Sequence, residues 1–305
     1  MKIVLPKYLA VASKIIPSIH PDKIEKYDNI IFNRGPIKDE KCFNVAWGSR
    51  ALGAKGVGLE TGFFWAAGHV DTLGLYANSS LNTPAGLRAI EQLNASISAR
   101  EIVNESPVNS KYRQTKNDID WRGVVLALQN PGDRSIHSSV ATEDYFDFVQ
   151  MACRYYGKHL FLKAHPWNSG PILDRLKAIS DKYGCCIAKT NHSILKHCRF
   201  VLTFNSSFAV DCFIRDVPVV QYAPGYFFQT GAVKYTGFEF TDEPGDTIEQ
   251  GRKVANFLVW KYCINLLMDT ETWVGFLISL SESNELFPVE DKYCYANNLP
   301  WSTNN

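Results

Sequence analysis

The chain contains no run of about 20 uncharged apolar residues, the length a helix needs to cross a bilayer. Its start, Met1 to Lys7, holds too short an apolar run for the core of a signal peptide. A dominant charge is missing too. Against 32 Lys and Arg stand 31 Asp and Glu, a net +1, so no global field attracts nucleic acid and any anion must be held by local groups. The eight cysteines include an adjacent pair, Cys185-Cys186, but no CxxC and no metal-like spacing. Cys198, Cys212 and Cys263 sit among apolar residues and read as reduced core thiols. Internal repeats and low-complexity tracts are absent. These absences point to a soluble cytoplasmic protein with no disulfide framework and at most a peripheral relation to membranes.

What is present is a chain of 305 residues, 46% hydrophobic and 21% charged, enough to bury two cores. Tyr8 to Ile16 reads as a packed first helix. The polar stretch Asn104 to Asp120 lacks periodicity and is the natural linker, giving domains at 1–115 and 116–305, with the last helices able to pack back on the first. Before the linker, strand-like runs (Asn29–Phe32, Phe43–Trp47, Val57–Glu60) alternate with helical segments such as Pro84 to Ser98, and Asp71 to Ser80 reads as turn, strand and turn. Beyond it, apolar runs at 123–128, 160–162, 185–188, 200–204 and 217–221 alternate with helices at 142–156, 171–183 and 208–214, followed by a long helix from about Thr247 to Met268. Such alternation predicts parallel sheets covered on both faces, arranged as a two-lobed α/β enzyme with a cleft between the lobes.

Three polar clusters follow the buried runs of the second half: Gln129 to Ser135, Lys163-Ala-His165-Pro166, and Asn205-Ser206-Ser207 with Asp211 one turn later. Ligands of open parallel sheets sit beyond the carboxyl ends of the strands, so the clusters suggest one site. Lys163 supplies a point charge and His165 a donor suited to phosphate, or the pair forms an ordinary solvated loop. Ser206 and Ser207 either cap the next helix or add anion-binding groups at its N-terminus, with Asp211 placed to accept from ribose hydroxyls. Asp133 is a turn residue or a reacting carboxylate. In the first half, Glu60 ends a short strand beside Phe63, Phe64 and Trp65, either exposed or as a proton shuttle raised by its apolar neighbours. The aromatic loop from Gln221 to Gln229 either packs or holds a ring.

Taken together, Trp47-Gly48, Leu59-Glu60-Thr-Gly-Phe63, Asp71-Thr-Leu-Gly74-Leu-Tyr76 and Ser80-Leu81 resemble the bacterial capsule and O-antigen β-Kdo transferases. In the capsule enzymes the corresponding motif is usually Glu-Asp-Gly-Phe, followed by Asp-x-x-Gly-Ile-Tyr. Gln129 to Ile136 is similar to their Gln-x-x-x-Asp-x-Ser-Ile, Lys163 to Pro166 to Lys-Pro-His-Pro, and Ser206 to Asp211 to a Ser-rich turn ending in Glu. The matches keep their order over residues 45–235. Thr61 replaces the second acid and Asp211 the Glu, the first favouring the O-antigen branch. The resemblance implies a GT-B-like pair of Rossmann-type domains, related to bacterial sialyltransferases, that uses CMP-β-Kdo and retains anomeric configuration. It makes Asp133 the nucleophile and Glu60 the acid/base. Gln129, Ser135, Lys163, His165, Pro166, Asn205, Ser206 and Ser207 then surround the donor, and Asp211 the ribose. CMP as leaving group needs phosphate stabilisation rather than a metal, so no cofactor is expected. The acceptor is expected to be a lipid-linked glycan, and the chain can belong to a larger multidomain enzyme. An inverting CMP-sialic-acid-type transferase and a non-catalytic glycan- or nucleotide-binding module are the competing expectations.

Overall fold

A computed structural model describes residues 1–6, 16–24, 26–34, 36–47, 55–106, 117–137, 142–237 and 239–300. The helix expected over Tyr8 to Ile16 lies outside these residues except for Ile16, and so does the centre of the expected linker. In chain order the first strands are β1 (Lys2–Pro6), β2 (Ile30–Asn33), β3 (Cys42–Trp47), β4 (Gly56–Thr61) and β5 (Ala67–Asp71), followed by helices α1 (Pro84–Gln92) and α2 (Ala99–Glu105). Next come β6 (Val124–Ala127), the one-turn α3 (Arg134–His137), α4 (Thr142–Tyr156), β7 (Leu160–Lys163) and α5 (Gly170–Tyr183). Then follow β8 (Cys186–Ala188), β9 (Phe200–Thr203), α6 (Phe208–Ile214), β10 (Val219–Gln221) and β11 (Lys234–Tyr235). The chain ends through α7 (Ile248–Phe257), β12 (Cys263–Asn265) and α8 (Thr270–Glu282).

Two compact units result: Met1–Lys111 with Asn256–Asn305, and Tyr112–Ala255. The first is built on a six-stranded sheet ordered β12-β5-β4-β3-β1-β2. Strands β2, β1, β3 and β4 are parallel. Ile3, Val4 and Leu5 are all buried, as expected of a strand covered on both faces. The sheet is mixed rather than wholly parallel, because β4 and β5 form a hairpin. Gly62 N–H donates to the Ala67 carbonyl at 2.6 Å, and a Cβ on Gly62 would stand 3.0 Å from the Ala67 Cβ.

The expected long helix to Met268 is a correction. Helix α7 stops at Phe257, one π turn spans Leu258–Tyr262, and the chain then enters β12, antiparallel to β5 with Cys263 opposite His69. Leu258, Val259, Tyr262, Cys263 and Ile264 are all buried, and a continuous apolar run does not by itself distinguish helix from strand. This strand places the segment from Asn256 in the first unit. Asp71 to Ser80 also differs from expectation: after β5 it holds 3₁₀ turns at Tyr76–Asn78 and Ser80–Asn82 and no strand.

In the second unit all six strands are parallel, in the order β11-β10-β9-β6-β7-β8. Counted from β6 as the first, this is the order 6-5-4-1-2-3 of doubly wound nucleotide-binding sheets, and its switch point lies between β6 and β9. Alternate residues build one face: Val124 and Leu126, Leu160 and Leu162, Phe200 and Leu202, and Val220 pack with Phe148, Val149, Ala152 and Leu176 of α4 and α5. The period of two turns Lys163, Thr203 and Gln221 to the other face.

Candidate functional site

The switch point is closed by two amides. Gln129, just past β6, donates through Nε2 to Asn205 Oδ1 at 2.9 Å, and its Oε1 accepts from Asn205 N–H at 3.1 Å. Asn205 Nδ2 donates to the Ser135 carbonyl at 2.8 Å and to the Pro224 carbonyl at 3.3 Å. The Gln129 backbone is held as well: its N–H donates to Tyr145 Oη at 2.7 Å, and its carbonyl accepts from Asn168 Nδ2 at 3.2 Å. Gln129, Asn205 and Asn168 are buried. This knot joins the ends of β6 and β9 to α3 and to the loops after β7 and β10. Sequence reasoning places Gln129 and Asn205 around a ligand; in the structure their side-chain amides bind each other and shape the crevice.

Asp133 stands at the mouth of that crevice. Its Oδ1 accepts from Ser135 N–H at 2.9 Å and so caps the one-turn α3. Ser135 is buried, and its hydroxyl lies 3.3 Å from Gln129 Nε2. Asp133 is half-buried, and among the described residues its second oxygen accepts no hydrogen bond. Cap and free carboxylate oxygen are thus both present, and the two readings of Asp133 do not exclude one another.

Lys163, the last residue of β7, is only 8% exposed. Its Nζ lies 4.7 Å from the centre of the Phe208 ring, and among the described residues it donates no hydrogen bond. Burial pulls its pKa below the ordinary lysine value, with Asp211 opposing. A buried ammonium with three unused donors is expensive unless an anion meets it. Nearby, Ser206 Oγ accepts from Phe208 N–H at 3.1 Å, while Ser207, the N-cap of α6, makes no side-chain cap bond. His165 is turned into its own loop, its Nδ1 accepting from Trp167 N–H at 3.2 Å. That bond leaves Nε2 as the proton-bearing nitrogen of the neutral ring. The Pro166 carbonyl accepts from Lys189 Nζ at 2.8 Å.

Asp211 is engaged more heavily than expected. His192 Nε2 lies 2.9 Å from its Oδ1, and the Arg215 guanidinium 3.5 Å. The His192 ring stacks on Phe208 with centroids 5.7 Å apart. Sequence reasoning passed over His192; its signal was a histidine four residues past the carboxyl end of another strand, β8. Burial would raise the Asp211 carboxyl, but His192, Arg215 and Lys163 outweigh it and hold the pKa below 3.8. The folded state therefore favours the ionised form, so this stabilisation is complete above pH ~3.8 and is lost as pH falls further. Asp211→Asn is expected to be less stable than the wild type at pH ~7, with the gap narrowing as pH falls below ~4 in denaturant titrations.

In the first unit, Glu60 lies opposite His69 in the β4–β5 hairpin. Its Oε1 accepts from Tyr76 Oη at 3.3 Å, and Oε2 lies 3.9 Å from His69 Nε2. His69 packs in near-parallel contact with both Phe63 (5.0 Å) and Tyr262 (5.6 Å), whose own rings lie 6.4 Å apart. What delivers Tyr76 is Asp71, fully buried. It accepts from the N–H groups of Leu73, Gly74 and Ser80, the hydroxyls of Ser79 and Ser80, and Tyr262 Oη at 2.6 Å. Burial and the Asp71 carboxylate push the Tyr262 hydroxyl well above its ordinary pKa and keep it a donor. The Asp-x-x-Gly-Leu-Tyr run is therefore an anchored loop that presents Tyr76, at φ +58°, to Glu60.

An Asp-x-Asp triplet is present at Asp118–Asp120, where Asp118 accepts from the Asn191 amide. Among the described residues no three His, Cys, Asp or Glu side chains are grouped to share a metal ion, and no helix is long and apolar enough to cross a membrane.

No protein-family model matches the chain, and no curated protein matches it in sequence. Solved structures do match. Thermosulfurimonas dismutans KpsC, a β-Kdo 2,7 transferase, is similar with a TM-score of 0.57 and 16% identity, over 92% of this chain and 100% of that one. The β-Kdo 2,4 transferase of the same KpsC is similar with a TM-score of 0.55 and 16% identity, over 83% of this chain and 89% of that one. The chain has a GT-B-like α/β fold, the fold its sequence motifs imply.

Proposed function

We propose that the protein is a retaining β-Kdo transferase that moves Kdo from CMP-β-Kdo to a glycan acceptor in O-antigen or capsule synthesis. The observation that carries this reading is Lys163: a buried ammonium that meets no hydrogen-bond acceptor among the described residues, at the carboxyl edge of a nucleotide-binding type of sheet. The likeness to KpsC supports the choice of sugar.

In this reading Lys163, His165 Nε2 and the Ser207 hydroxyl take the CMP phosphate or the Kdo carboxylate, and the charge that develops on the phosphate as its bond to the sugar breaks is stabilised there. The free oxygen of Asp133 attacks the anomeric carbon as CMP leaves with the bonding electrons, giving a Kdo–Asp133 ester. The acceptor hydroxyl then attacks the same carbon, Glu60 takes its proton and Asp133 leaves as carboxylate. Two inversions amount to retention. Gln129, Asn205 and Ser135 hold the strand ends in place, and His192 and Arg215 orient Asp211 towards the ribose. The acceptor is a lipid-linked glycan met at the cytoplasmic face of a membrane, and the chemistry needs no metal.

CMP release from CMP-Kdo and from CMP-sialic acid, each with a panel of glycan acceptors, tests the reading. Release from CMP-Kdo alone is expected. Preferential release from CMP-sialic acid would overturn the donor, and CMP binding without release from either would make the protein a non-catalytic module.

A further inference from the structure

The second unit carries a cavity of about 550 Å³ that the proposed reaction does not use. Its basic side chains stand just before three adjacent strands: Arg122 ahead of β6, Lys158 and His159 ahead of β7, and Arg199 ahead of β9. The cavity therefore opens at the amino ends of the sheet. Four-residue strands put roughly 13 Å between it and the carboxyl-end crevice. Bringing β9, β6 and β7 side by side is what gathers these groups, which are far apart in sequence.

Arg122, Lys158 and Arg199 set three positive charges against one acid, Asp242. That acid is partly occupied, its Oδ2 accepting from Tyr155 Oη at 3.3 Å. Arg199 donates to the Asp242 carbonyl at 3.2 Å rather than to its carboxylate. Among the described residues none of the three cations forms an ion pair, and Arg122 and Lys158 make no hydrogen bond through their side chains. In a chain of net charge +1, this excess is local. Aromatic walls complete the cavity: Trp121, fixed by its indole N–H to the Val124 carbonyl at 3.1 Å, and Tyr155, which is 51% exposed.

We propose that this cavity is a second binding site, for a carboxylate-bearing sugar unit of an anionic glycan. Its volume is that of a small-molecule site. Unpaired guanidinium and ammonium groups suit a carboxylate, and exposed aromatic faces suit the apolar side of a sugar ring. The choice of an anion rests on the cavity alone; the choice of a saccharide rests on the glycosyltransferase reading. A site here holds an acidic chain at a point remote from the donor.

Titration of the full chain with trigalacturonate, uncharged maltotriose, inorganic phosphate and CMP, followed by calorimetry, tests the proposal. Trigalacturonate is expected to bind and maltotriose not. The double variant Arg122→Glu/Lys158→Glu, both positions exposed, is expected to bind trigalacturonate about tenfold more weakly or worse, with CMP binding unchanged as the check on folding. Equal trigalacturonate binding by wild type and variant overturns the site. Phosphate binding as tightly as trigalacturonate overturns the saccharide. Sedimentation with phosphatidylglycerol vesicles in the absence of trigalacturonate binding overturns it in favour of a lipid surface. Loss of CMP binding in the wild type, with trigalacturonate still bound, removes the donor reading and leaves this site standing.

Discussion

Asp133→Asn is expected to lower Kdo transfer by at least about a thousandfold while leaving CMP affinity and fold stability close to wild type. Asparagine caps a helix as well as aspartate does, so its side-chain oxygen can still accept from Ser135 N–H, the bond that Asp133 makes now. What it lacks is a carboxylate to form and release an ester. Asp133→Ala removes the cap as well and is expected to cost about 1 kcal/mol of stability in addition. The pair of variants separates the two roles: both inactive, only the alanine less stable. Transfer by Asp133→Asn at a rate near wild type contradicts the assignment.

The largest effect on stability is expected at the amide knot. Gln129→Ala leaves the Asn205 N–H and Oδ1 without their partner in a buried place. Each stranded group costs about 1–3 kcal/mol, so a loss of roughly 2–6 kcal/mol is expected in urea titrations. Because the two amides share their bonds, Gln129→Ala and Asn205→Ala should not add; a coupling of about 1 kcal/mol or more is expected from the double-mutant cycle. CMP binding should weaken together with stability, since the knot fixes the ends of β6 and β9. Additive effects on stability would mean that the amides do not act as a unit.

Most of the second unit was legible because β6 to β10 are short apolar runs bounded by polar residues, and the helices between them repeat at helical spacing; the two-residue β11, Lys234–Tyr235, has no such run and was not foreseen. Residues 142–156 and 208–214 were expected as helices and are helical with those limits. The C-terminal segment was less legible. Cys263–Asn265 lies within an apolar run that continues α7, and only pairing with β5, about 195 residues earlier in the chain, makes it a strand. Tertiary pairing of this kind leaves no local mark.

The candidate site divides in the same way. That Gln129, Lys163 and Asn205 stand at strand ends could be read from the apolar runs ahead of them. That Gln129 and Asn205 bind one another could not, because a polar residue after a strand looks alike whether its partner is a ligand or another side chain. The Asp71 motif was recognised by resemblance, and the structure supplies its reason: a single buried carboxylate organises the turn that carries Tyr76 to Glu60. His192 was missed because its partner, Asp211, lies 19 residues away on another element.

A retaining double displacement passes through a covalent Kdo–enzyme intermediate on Asp133. Glu60→Gln should slow the second displacement, in which the acceptor hydroxyl must lose its proton, and let the adduct accumulate. Incubation of that variant with CMP-Kdo, followed by mass spectrometry of the intact protein and its peptides, measures it directly. The predicted result is a mass increase of one Kdo residue on the peptide containing Asp133, absent in Asp133→Asn. An unmodified Asp133 peptide, together with a wild-type product of inverted α configuration, would rule out the double displacement.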